Sequence, residues 1–100
     1  MTTDSAEKIA IENVNSPGRT VRVDAAKYQA MKAAMLAVLP STSPGLSAAE
    51  MKQRLLPHLP DALFPGGAKA GWWMKGVQLD LEAKGVVARE DTKPLRFRRL

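Results

Sequence analysis

The spacing of apolar positions changes along the chain, and each change marks an expected element. Ile9, Ile11 and Val14 alternate loosely within an otherwise polar N-terminus. Asn15-Ser16-Pro17-Gly18 is a turn signal. Residues 19–23 then alternate and are β-branched at Thr20, Val21 and Val23, which predicts a short strand. Asp24 suits a helix N-cap, although Lys27 stands where a full capping box needs Glu. Over residues 25–39, Tyr28, Met31, Met35 and Leu39, flanked by Ala34 and Val38, form one helical stripe. Pro40 and the Ser/Thr/Pro/Gly run over residues 41–45 close that helix.

Ser47-Ala48-Ala49-Glu50 is a complete capping box. The helix it opens carries Met51, Leu55, Leu56 and Leu59, and Pro57 limits it. Pro60 and Pro65-Gly66-Gly67 impose a second loop. A third helix is expected over residues 69–84, with Gly85 as its C-terminal stop. Residues 86–89 and 95–100 alternate around a turn at residues 90–94, which predicts a β-hairpin. The expected fold is therefore mainly α with a small hairpin, in the order strand, three helices, hairpin. Residues 1–17 read as an N-terminal extension that could pack on the domain, and residues 18–100 as that domain.

A helix ending Leu81-Glu82-Ala83-Lys84-Gly85 and running straight into Val86-Val87-Ala88-Arg89 resembles the winged-helix (winged helix-turn-helix) superfamily. The resemblance extends over residues 18–100. It implies a third helix that enters the DNA major groove, flanked by the hairpin as a wing. The segment Phe64-Pro65-Gly66-Gly67-Ala68-Lys69-Ala70-Gly71-Trp72-Trp73 also resembles a block from a small bacterial family with no assigned activity.

Composition narrows the chemistry. The chain has no cysteine, which removes disulfides, thiolate metal sites and a cysteine nucleophile. His58 is the only histidine, so no histidine pair with metal-ligand spacing exists. Asp80 and Glu82, two apart on a helix, do not share a face as an acid–base pair. Gly66-Gly67-Ala68-Lys69-Ala70-Gly71 lacks the order of a Walker loop. Neither an enzyme nor a cofactor or metal site is expected. The N-terminus has no leader pattern and no apolar run is long enough for a bilayer, so a cytoplasmic protein is expected.

The net charge of +5 is concentrated late in the chain. Arg89, Lys93, Arg96, Arg98 and Arg99 outweigh Glu90 and Asp91 beyond residue 85. Alternation places Arg96 and Arg98 together on the solvent side of the last strand. With Lys69, Lys75 and Gln78 on the third helix and Lys93 on the wing, they form a candidate DNA contact, mainly to phosphate. A small transcriptional regulator is the function this implies.

The third helix argues for something else. At about 100° per residue, Ala70, Trp73, Met74, Val77 and Leu81 face the core. The outward side then carries Trp72, Lys75, Gly76, Leu79 and Ala83, a second apolar stripe where a base-reading helix needs Arg, Asn or Gln. Trp72, Gly76 and Leu79 thus form a candidate interface for a second subunit or another protein, unless Ile9, Ile11 and Val14 cover them.

Overall fold

In a computed structural model, residues 7–100 are described. A hairpin comes first: β1 (Lys8–Glu12) pairs antiparallel with β2 (Thr20–Asp24), with Ile11 opposite Val21 and Ile9 opposite Val23. The Asn13–Arg19 turn is closed by Ser16 N–H to Asn13 O and Arg19 N–H to Ser16 O. The alternation at Ile9 and Ile11 is thus a true strand pattern, and a boundary at residue 18 would cut this hairpin in two. Asp24 ends β2 and caps α1 (Ala25–Val38) by accepting the Lys27 N–H at 2.9 Å.

A two-residue strand, β3 (Leu46–Ser47), precedes α2 (Ala48–Leu55). The capping box forms in full, Ser47 with the Glu50 N–H and Glu50 with the Ser47 N–H. Pro57 turns the chain into a 3-10 segment, Leu56–His58, as the missing N–H requires. A second 3-10 turn, Pro65–Gly67, leads to α3 (Ala70–Ala83). Gly85, at φ +74°, ends α3, and the Val86 N–H bonds back to Leu81 O.

β4 (Val87–Glu90) and β5 (Arg96–Arg99) form the expected hairpin. β3 pairs with the other edge of β5, giving an antiparallel sheet of order β3-β5-β4. The described residues are therefore a small mixed α/β domain: three helices, one hairpin at the N-terminal side and one three-stranded sheet.

The core lies between the helices. Met31, Met35, Met51, Leu55, Val77 and Leu81 are fully enclosed, and Phe97 joins them from β5. Each such side chain contributes roughly 1.5–3 kcal/mol of burial free energy. The predicted core stripe of α1 is the observed one; on α3 the predicted residues are buried, and Gln78, Leu79 and Asp80 are buried with them. Ile11 and Val23 join the same core from the N-terminal hairpin, which anchors it to α1 and α3.

Candidate functional site

The outward face of α3 is divided between the hairpin and solvent. Ile11 packs over Gly76, where a Cβ would meet its Cδ1 at 3.9 Å. Leu79 is only 8% exposed. Ile11 thus covers Gly76, and with Leu79 buried the two do not form an exposed stripe. Trp72 lies nearer the N-terminus of α3 and stays 66% exposed, its ring edge-on to buried Trp73 at 5.3 Å. Val21, on the same hairpin face as Ile11, is 61% exposed. Val14, the third of the expected covering residues, is itself exposed.

Between hairpin and helix runs a cleft of about 430 Å³. Ile11, Val21, Val23, Val77 and Leu79 line it, and Trp72 stands beside them. Its charged lining residues are Glu12, Arg19 and Lys75. Arg19 and Lys75 make no ion pair among the described residues, although Glu12 shares the cleft.

The expected DNA-contacting residues do not come together. Gln78 is 2% exposed and donates to Glu82 at 2.9 Å, so it cannot reach a base edge. Position 78 lies on the flank of α3 that turns inward, which helical spacing alone did not separate from the outer face. Arg96 binds Glu50 at 3.1 Å and the Gly45 carbonyl at 3.3 Å. Arg98 binds Glu90 at 2.9 Å. Both are half-buried, so they do not project freely to solvent; alternation gives the face of a strand, not the carboxylates folded against it. Arg89 likewise grips Glu82 through two 3.0 Å contacts. Lys69, Lys75 and Lys93 remain exposed. Lys69 enters α3 in the left-handed region, at φ +60°.

These pairs shift their acids as expected. The Glu50 carboxyl is held below its ordinary range by the Ser47 N–H and, less strongly, by Arg96. The Glu90 carboxyl is lowered chiefly by the Arg98 hydrogen bond. Carboxylates of this chain thus pair with Arg89, Arg96 and Arg98 of the β4–β5 hairpin.

Asp80, which forms no acid–base pair with Glu82, has a structural role that its sequence position did not reveal. It lies on α3 with no solvent exposure and holds three groups. It accepts the Glu12 N–H at 2.8 Å, the Tyr28 hydroxyl, and Lys84 at 2.6 and 2.8 Å. One carboxylate thus ties β1, α1 and α3 together. The available signal was an acid between Leu79 and Leu81 with Lys four residues on.

Burial, then the hydrogen bond to Asp80 and its charge, raises the Tyr28 phenol well above its ordinary value of 10.0. A raised value means that the burial and bonding of the neutral phenol contribute stability that is full below pH 10 and is lost as pH climbs above it. Tyr28 is the only tyrosine, so tyrosinate absorbance reports it alone. We expect ionisation to be delayed until the near-ultraviolet circular dichroism collapses at alkaline pH. Ionisation at the ordinary value with the fold intact would mean that Tyr28 is neither buried nor bonded to Asp80.

Among the described residues, no group of three or more His, Cys, Asp or Glu is placed to hold a metal ion, and no helix is long and apolar enough to cross a membrane. No curated protein and no solved structure matches the chain. A family model does match, over residues 8–97, beginning with β1 and ending within β5. The chain belongs to the Family of unknown function (DUF6958).

Proposed function

We propose that the chain is a winged helix-turn-helix unit with an added N-terminal hairpin, and that it works as a non-catalytic protein-interaction module. The order α1, β3, α2, α3, β4, β5 with sheet order β3-β5-β4 supports the fold reading. The observation that carries the function is the division of the α3 surface: Gly76 beside the hairpin's Ile11 and Leu79 buried, Trp72 open at the cleft. A helix with its side chains is about 10–12 Å across and fills a major groove about 12 Å wide. The groove takes a helix or a two-stranded ribbon, not one laid on the other. A large aromatic left in water beside an apolar cleft marks a contact surface.

The test places a photo-crosslinking side chain at position 72 and, as control, at Ala10 on the outer face of the hairpin. A discrete protein adduct from position 72 alone is expected in cells that make the protein. Absence of any adduct from position 72 would overturn the reading.

A second reading, DNA contact through phosphate, is favoured by the exposure of Lys69, Lys75 and Lys93. It requires binding to random-sequence duplex that weakens steeply with salt and with Lys69→Glu, Lys75→Glu and Lys93→Glu together.

A further inference from the structure

Resting on the interaction reading above, we infer that the cleft beside Trp72 takes an acidic, apolar protein segment, with an aliphatic or aromatic side chain entering between Val21 and Trp72 and carboxylates meeting Arg19 and Lys75. Three observations carry this chemistry.

The first is what lines the cleft. Ile11, Val21, Val23, Val77 and Leu79 suit a hydrocarbon group, while Asn13, Ser16 and Thr20 add hydrogen-bonding groups beside the charged residues. One exposed aromatic is short of the series of stacking platforms that single-stranded nucleic acid uses.

The second is the net positive lining of the cleft, Arg19 and Lys75 against the single acid Glu12. Lys84, Arg89, Arg96 and Arg98 each have a carboxylate of this chain within 3.1 Å. The two cations that line the cleft have none among the described residues. An arriving carboxylate therefore displaces no internal pair, and its attraction speeds association.

The third is charge balance. Two copies of a +5 chain meeting at this face would bring like charges together, which opposes a second copy as occupant.

The experiment is selection of twelve-residue peptides from a random display library on the intact protein, followed by titration of selected synthetic peptides. Binding is read from the fluorescence anisotropy of dye-labelled peptide, which reports equally on the Trp72→Ala variant. Selected peptides should be rich in Asp or Glu around an apolar residue. Replacing their acids with Asn and Gln should weaken binding at least tenfold. The double substitution Arg19→Glu, Lys75→Glu should do the same, and Trp72→Ala should abolish the interaction. All three altered positions are exposed, so these variants are expected to fold, and circular dichroism checks this.

Peptides that need Trp72 but carry no acidic preference would overturn the partner chemistry and leave the interaction reading standing. A crosslinked adduct of twice the chain mass, with a dimer by light scattering that Trp72→Glu dissociates, would assign the cleft to a second copy and overturn the inference. Failure to select any Trp72-dependent peptide would also overturn it. Together with no adduct at position 72, that failure would remove the interaction reading as well. Tighter binding of single-stranded DNA than of any acidic peptide would replace the occupant by nucleic acid.

Discussion

Asp80→Ala is expected to cost about 3 kcal/mol of stability, and on the order of 15 °C in Tm for a domain of this size. Asp80 is wholly buried and receives the Glu12 N–H, the Tyr28 hydroxyl and the Lys84 ammonium. Alanine leaves the first two in an apolar setting without an acceptor, which is costlier than never having formed the bonds. The estimate sits at the low end of the range for broken buried pairs because Lys84 is 37% exposed and can turn to water. A domain of 100 residues has only about 5–15 kcal/mol in total, so the loss is large. Urea unfolding measures it, as a lower midpoint at nearly unchanged slope. Tyr28→Phe removes one donor and should cost about 1 kcal/mol alone, and less in the Asp80→Ala background. An Asp80→Ala cost below about 1 kcal/mol would show that the three contacts do not hold the hairpin and helices together.

Gly45→Ala is expected to be worse, leaving little or no folded protein at room temperature. Gly45 has φ +82°, where an L side chain is strained by roughly 1–2 kcal/mol. Its added Cβ would also fall on the Phe97 carbonyl oxygen, which is backbone and cannot swing aside. Phe97 is a core residue paired with Leu46, so the clash would separate β3 from β5. Arg96 would lose its contact with the Gly45 carbonyl in the same movement. Gly66→Ala is the matched control: its φ is +61°, yet a Cβ there meets nothing within 4 Å. It should cost about 1 kcal/mol, the backbone term alone. Circular dichroism and soluble yield of the two variants decide the matter. Equal behaviour would mean that the close approach of residue 45 to β5 is not maintained.

Much of the fold was legible in sequence because it is local. The stripe of Tyr28, Met31 and Met35, the box of Ser47 and Glu50, and the stop at Gly85 each follow from contacts within a few residues. Observed helix ends lie within a residue or so of those expected for α1 and α3. β3 escaped because two residues show no period, and only pairing with Phe97 and Arg96 makes them a strand. β1 was seen only as loose alternation, since nothing near it in sequence reveals that Val21 and Val23 lie opposite.

The candidate site was less legible. Trp72 and Lys75 were rightly placed on the exposed side of α3. Leu79, Gln78, Arg96 and Arg98 were placed there or on the open wing too, and each meets a partner from another part of the chain or lies on an inward flank.

The sequence by itself determined the helices, their core faces, the C-terminal hairpin and the absence of cysteine chemistry, because periodicity, capping and composition are carried by neighbouring residues. Only the tertiary structure decided which part of the α3 surface stays open, which cations are neutralised, and that a single buried carboxylate joins the hairpin to the helices. Those outcomes depend on residues tens of positions apart, as Glu12 and Asp80 are, and no local pattern encodes such a meeting.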